Sequence, residues 1–348
     1  MLPVFPSVTF SNHYSLVTGL YPEHHGIVEN RFFDPDRGAA YSFRDPDHVA
    51  DGSWYRGEPI WVTAETQGMV AACYFFPGSE AAIKGVRPTY WNKYDGSVPN
   101  ATRVDRVIEW LRLPEDRRPH VITLYFGDMD AASHRGPLNS PAMQAAAQSV
   151  DGALGRLLDR LDTLDIRDRV YLLLTSDHGI TETSAATTVL LGSLLDSMAG
   201  VRVGFTGPVA SLHVTAPADA ASVRDRLNSR LAHGRAYLRA ELPERFHYRK
   251  DRRIGDVVIV MDEPWMIATS AVAKLRIWEP WGEHGWDPEL QSMKALFVIA
   301  GPGIEADVTI PEVRNIDVYQ LVTELLGLRP AGGLDGEAGR IRKVVMKK

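Results

Sequence analysis

Short runs rich in β-branched and aromatic residues recur along the chain and stop at glycine or acidic residues: HVITLYF (His120 to Phe126), RVYLLLTSDHG (Arg169 to Gly179) and ALFVIAGPG (Ala295 to Gly303). Continuous apolar runs of this length, bounded by turn residues, predict buried parallel strands. Between the first two lies SPAMQAAAQSVDGALGRLLDRLDTL, where Ala, Val and Leu recur at helical spacing behind a Ser-Pro start, which predicts a helix. Strand, helix and strand in this order make an α/β pattern, a mostly parallel sheet flanked by helices, with ligands expected outside the carboxyl ends of the strands. A second region, about Gly200 to Ala268, carries SLHVTAP, ASVRDRLNSRLA and DVVIVMDE, and reads as a small α+β insertion. The expected organisation is therefore a catalytic α/β domain over 1–199 and 269–348, interrupted by an insertion over 200–268.

Composition narrows the class without naming it. With 348 residues, 45% hydrophobic and 24% charged, the chain is long enough to bury a substantial core. A net charge of -6, and no basic block longer than RKDRR (Arg249 to Arg253), argue against nucleic acid as a partner. That block reads as a solvated turn. The one cysteine, Cys73, sits in the apolar run VAACYFF, which excludes an intrachain disulfide and a thiolate zinc site and predicts a small buried thiol. No run of about 18 apolar residues is present, so no membrane-spanning helix is expected.

Candidate chemistry gathers at the predicted strand ends. GDMDAASH places Asp130 and His134 four residues apart, SDHG places Asp177 beside His178, and EPWGEHGWDP sets His284 between glycines. Carboxylate and imidazole are the ligands zinc takes when thiolates are absent, and ligands drawn from several strand ends leave positions open for substrate. One such pair would read as a helix cap or surface residues; three clusters in glycine-flanked turns point to metal. Of the 11 histidines, His48, His213, His233 and His247 lack such company and are assigned to structure or surface. Near the start, VTFSNHYSLVTG predicts a helix with Thr9 at or near its N-cap, where an anion would meet unpaired backbone N–H groups and the positive end of the helix dipole. A hydroxyl there can be activated by a metal without a neighbouring base.

The segments PVFPSVTFSNHYSLVTGLYPEHHGIVEN, EPIWVTAETQG, YFFPGSEAAIKGVRPTYW, RPHVITLYFGDMDAASHRGP, SDHG, EHGWDP and RNIDVYQLVTELLG resemble, in this order over nearly the whole chain, the nucleotide pyrophosphatase/phosphodiesterase family of the alkaline phosphatase superfamily, in its bacterial type. The resemblance implies an alkaline-phosphatase-like α/β sandwich and a phosphodiesterase with two zinc ions, acting on nucleotides or other small phosphodiesters. It implies that Thr9 is the nucleophile and binds the first metal with Asp177 and His178, and that Asp130, His134 and His284 bind the second. It further implies that Asn30 hydrogen-bonds a nonbridging phosphate oxygen and that Phe10 and Tyr125 sandwich a nucleobase, with Tyr90 near the same pocket. The expected course is a phosphothreonyl intermediate resolved by water, releasing nucleoside monophosphate, and the expected location is periplasmic or secreted.

Two departures from the family pattern stand out. An Asp-Gly turn closing a first strand, upstream of the threonine, supplies one more ligand to the first metal; only eight residues precede Thr9, and Asp34, Asp36 and Asp51 lie downstream of it. The first site is thus expected to lack one aspartate, as in an N-terminally truncated chain. Met129 stands in GDMD where relatives carry proline, an expected effect on the rim, since the spacing of Asp130 and His134 is kept. The alternatives are a phosphomonoesterase or phosphonoacetate hydrolase using the same metals, or a non-catalytic nucleotide-binding relative.

Overall fold

The structure is a computed structural model describing residues 1–216, 218–269 and 279–347. The helix α1 (Thr9–Thr18) precedes a two-stranded hairpin of β1 (Arg31–Asp34) and β2 (Ala39–Ser42). The strands β3 (Ala71–Tyr74), β4 (Tyr90–Asn92) and β5 (Val121–Leu124) form a parallel sheet in the order β4-β3-β5. Alternation along a strand sends successive side chains to opposite faces. Ala71 and Cys73 accordingly join one core with Tyr14, Ile27 and Trp61, whereas Ala72 and Tyr74 join another with Val104, Ile108 and Leu157. Both faces of β3 are therefore covered, and the α/β layering predicted from the apolar runs is realised around it. Cys73 is fully buried, and burial pushes its thiol up to about 12.

The helix Pro141–Leu161 begins as its sequence predicts: Ser140 accepts a hydrogen bond from the Met143 N–H at 3.3 Å, and Pro141 fills the first turn. It carries the chain from β5 to β6 (Leu172–Thr175). Then come β7 (Thr181–Thr183) and β8 (Thr188–Leu190). The runs RVYLLLTSDHG and ALFVIAGPG depart from expectation, because their strands, Leu172–Thr175 and Phe297–Ala300, pair with each other in antiparallel fashion and are half-exposed. Apolar content encodes that a run is a strand but carries no strand direction.

The second region contains β9 (Val201–Phe205), β10 (Val209–Val214), β11 (Gly234–Leu238) and β12 (Val257–Met261), an antiparallel sheet in the order β11-β12-β10-β9. The helix Ala220–Arg230, capped by Asp219, buries Val223 and Leu227 against Ala210, Leu212 and Ile259. After it come β13 (Met266–Ala268), parallel to β8, β14 (Trp281–Glu283), antiparallel to β7, and the β15 (Phe297–Ala300) already described.

RKDRR is not a solvated turn. Asp251 and Arg253 are both buried; Arg253 donates to Asp34 Oδ2 at 2.8 Å, and Arg56 pairs with Asp251. Alternating charges looked like solvent-facing polarity because their partners lie about 200 residues away in sequence.

The edge of β11 is closed by a side chain. Asn228 donates from Nδ2 to the Ala236 carbonyl at 2.9 Å, and its Oδ1 accepts from the Ala236 N–H at 2.8 Å, so one amide supplies both bonds of a missing strand neighbour. Ala236 is buried, so removing that amide leaves two backbone groups unpaired. Asn228→Ala is expected to destabilise the protein by about 1–3 kcal/mol, seen as a lower urea midpoint at constant m-value. An unchanged midpoint would show that water replaces the amide.

Candidate active site

Asn12 organises the approach to the site. From the first turns of α1 its side chain accepts the Val4 N–H at 2.8 Å and donates to the carbonyls of Pro6 at 3.1 Å and Val8 at 3.0 Å. The loop over residues 4–8 is thereby wound onto the helix it precedes, and Thr9 becomes the first helical residue. Val8 is the N-cap and offers no side-chain cap, so the N-terminal turn is left to other groups. One of them is Asn30, whose Oδ1 accepts the Phe10 N–H at 2.8 Å.

Two groups of metal-type donors meet beside Thr9. Asp130 lies on the short helix Asp128–Ser133 just beyond β5, Asp177 and His178 follow β6, and His284 follows β14. Asp130, His134 and His284 present ligand atoms all within 4.8 Å of one another. His178 Nε2 stands 3.1 Å from Asp177 Oδ2 and 3.4 Å from Thr9 Oγ1. The groups abut through the rings of His178 and His284, stacked at 3.7 Å. Every metal-binding residue expected from the sequence, together with Thr9, is thus brought to one place.

A common device orients the three imidazoles. Nδ1 of His134 lies 2.9 Å from the Gly282 carbonyl, Nδ1 of His284 2.9 Å from the Ser7 carbonyl, and Nδ1 of His178 2.9 Å from the Gly179 carbonyl. A carbonyl can only accept, so each Nδ1 carries a proton and each Nε2 is turned inward. The helix of Asp130 and His134 comes close enough because residue 282 is glycine: a Cβ there would lie 2.7 Å from Cβ of Ser133.

Electrostatics describe a site built for a cation. Burial pushes His284 down to about 4, with the neighbouring His178 adding to the effect. Burial also opposes charge on His178, yet the Asp177 carboxylate outweighs it and raises that imidazole to about 9. Asp130 is likewise opposed by burial but is held down at about 2 by His134, His284 and His178. Its Oδ1 is buried and accepts no hydrogen bond, although His134 Nε2 at 3.3 Å and His284 Nε2 at 3.5 Å face it. Two lone pairs converging on an orphaned carboxylate oxygen fit a divalent metal, the donor set being the N/O set zinc accepts. His13 adds support from one turn along α1, its Nδ1 2.9 Å from the Thr9 carbonyl and 3.3 Å from Asp177 Oδ2.

The aromatic candidates separate. Phe10 lies against Phe43 at 5.5 Å, and Tyr125 meets His13 edge-on at 5.3 Å. Tyr90 stacks on Trp110 and donates to the Arg117 carbonyl, packing that makes it a structural residue of β4. Four residues later Tyr94, 53% exposed, faces Tyr125 at 6.4 Å; it was missed because its setting, NKYDGSVP, reads as an ordinary polar turn. Beside Asn30, burial pushes the Glu29 carboxyl up to about 7 against the pull of the Arg31 N–H bond and guanidinium.

Comparison with known proteins gives a consistent picture. The family model described as type I phosphodiesterase/nucleotide pyrophosphatase matches residues 1–287. Human ectonucleotide pyrophosphatase/phosphodiesterase family member 1 is 37% identical over 99% of this chain, which covers 38% of that protein. A venom phosphodiesterase of Crotalus durissus collilineatus is 35% identical over 99% of the chain and 42% of its own length. The chain therefore spans about two-fifths of the curated relatives it matches. Among solved structures, murine ectonucleotide pyrophosphatase/phosphodiesterase 5, in an inactive threonine-to-alanine form complexed with AMP, superposes with a TM-score of 0.91 at 30% identity, covering 99% of this chain and 90% of that one. Likeness at that level shows the alkaline-phosphatase-like α/β fold here.

The donor geometry makes a quantitative expectation. Asp130→Ala should retain one equivalent less of zinc than the parent chain after dialysis, measured by elemental analysis. Equal metal content in the two proteins would remove Asp130 from the ligand set.

Proposed function

As the chain belongs to the type I phosphodiesterase/nucleotide pyrophosphatase family, we propose that it hydrolyses phosphodiester or pyrophosphate bonds of nucleotides and releases a nucleoside monophosphate. The observation that carries this reading is the convergence of Thr9, at the start of a helix, with two abutting clusters of carboxylate and imidazole donors. The catalytic layer is assigned to 1–199 and 269–348, with 200–268 as an insertion. The relatives' names place them outside cells or in venom, and a periplasmic or secreted setting is proposed by analogy. No helix among the described residues is long and apolar enough to cross a membrane.

Thr9, Asp177 and His178 form the first proposed metal site and Asp130, His134 and His284 the second. Zinc bound at these sites would lower the pKa of the Thr9 hydroxyl and neutralise charge on the leaving oxygen. Thr9 Oγ1 attacks phosphorus in line as the bond to the leaving oxygen breaks, giving a phosphothreonine at the N-terminus of α1. Water then attacks that phosphorus, the Thr9–phosphorus bond breaks, and the hydroxyl is regenerated with release of the monophosphate. In both steps negative charge on the nonbridging oxygens meets the helix N-terminus and the Asn30 amide. Asn30 is suited to this because its Oδ1 is occupied by the Phe10 N–H, which commits its Nδ2 to the other side. The AMP bound to the murine relative agrees with a nucleotide substrate, for which Phe10, Tyr125 and Tyr94 offer base-stacking faces.

Thr9→Ala should abolish turnover, by at least about a thousandfold on the scale set by losing a catalytic nucleophile, while keeping zinc at the Asp130 group. The check is hydrolysis of p-nitrophenyl thymidine monophosphate against p-nitrophenyl phosphate, with and without EDTA. Faster monoester turnover, or full activity in the variant, would sink this reading.

A further inference from the structure

The segment 26–34, which carries Asn30, is held from outside its own layer. Tyr248, fully buried, donates from its hydroxyl to the Val28 carbonyl at 2.7 Å, two residues before Asn30. Arg253, 6% exposed, forks across both ends: Nη1 donates to the Gly26 carbonyl at 2.8 Å and Nε to Asp34 Oδ2 at 2.8 Å. The same Nη1 reaches the Trp54 carbonyl at 2.8 Å. Residue 26 is fitted to this clamp, since Gly26 has φ +83° and a Cβ there would lie 2.6 Å from Arg253 Nη1. On the inner side Ser11 donates to the Ile27 carbonyl at 2.8 Å, and the Asn30 amide ties to the Phe10 N–H. Asn30 thus sits in a span gripped by α1 on one flank and by residues 248–253 on the other.

We infer that Tyr248 and Arg253, which belong to the 200–268 region and not to the layer bearing the metal ligands, are positioning residues for Asn30. The inference rests on the phosphodiesterase reading for what Asn30 does, but the clamp itself is geometric. Two features favour positioning over generic stability. Two of the contacts, to the Val28 and Gly26 carbonyls, grip the backbone of the Asn30 span and set its path, and the Arg253 fork adds bonds to the Asp34 carboxylate and the Trp54 carbonyl at fixed angles that a lysine could not reproduce. A misplacement of about 1 Å in a group that stabilises transition-state charge costs rate and leaves ground-state binding nearly untouched.

The test is a double-mutant cycle together with amide exchange. Tyr248→Phe removes one hydroxyl and keeps the ring that packs edge-on against Phe5. It should lower kcat for p-nitrophenyl thymidine monophosphate about fivefold to tenfold, the equivalent of one buried hydrogen bond, with KM within about twofold. In an Asn30→Ala background the same change should have almost no effect on kcat, because residues acting through one group are not additive. Arg253→Lys should behave like Tyr248→Phe, and both should speed hydrogen exchange over residues 9–12 and 27–31 while leaving β10 and β12 protected. Equal kcat penalties in the two backgrounds, or unchanged exchange over 27–31, overturn the inference. Should the parent chain fail to cleave the diester, the phosphodiesterase reading falls, and exchange over 27–31 still decides whether the clamp positions Asn30.

Discussion

The site depends on one repeated contact, an imidazole Nδ1–H held by a backbone carbonyl. Two loop residues, Ser7 and Gly179, and one strand residue, Gly282 of β14, supply those carbonyls, and they come together only when α1, β6 and β14 are in place. If any one were displaced, its histidine could rotate or switch tautomer, and the inward lone pair would be lost. The Ser7 carbonyl is itself fixed by Asn12, whose side chain winds residues 4–8 onto α1. The helix that presents Thr9 and the imidazole of His284 are thereby set by the same short loop. The proposed nucleophile and metal donors share a reference frame.

Burial makes that frame matter. His178, His284, Asp130 and Asp177 all meet desolvation as the largest influence on their protonation; opposite charges and hydrogen bonds, including those of His13 and His134, outweigh it for His178, Asp130 and Asp177 but not for His284. Across rings stacked at 3.7 Å, the Asp177 carboxylate raises His178 against the effect of burial, whereas burial, with His178 beside it, lowers His284. Divalent cations held by these donors would offset the cost of burying them. The arrangement is costly without a cation and well satisfied with one.

What could be read from the sequence follows from how local each signal is. Asp130 with His134, Asp177 with His178 and the Thr9 turn are neighbours along the chain and end predicted strands, so their types and spacing announce them. The helix Pro141–Leu161 declares its start through Ser140 and Pro141. The direction of β15 is invisible, because an apolar run looks the same read against a parallel or an antiparallel neighbour. Tyr94 and Tyr90 cannot be ranked by composition; only packing on Trp110 distinguishes the half-buried ring from the exposed one. RKDRR misleads for a related reason. The partners of Asp251 and Arg253 are Arg56, Asp34 and Gly26, and nothing local hints at contacts across such a span.

The Arg253 fork has a consequence for how this architecture can be rearranged. The antiparallel sheet of β9 to β12 has its own core and its own edge plug in Asn228, features that make it look like an exchangeable cassette. It is not one. A graft that replaced residues 200–268 with a foreign sheet would take away a guanidinium and a phenol that the β1 approach relies on, and a buried Asp34 would keep only Arg37, at 3.5 Å, as a cationic partner. Residues 248–253 would have to be exchanged together with Gly26 and Asp34. The boundary across which this chain can be recombined runs through the sheet of β9 to β12 and not around it.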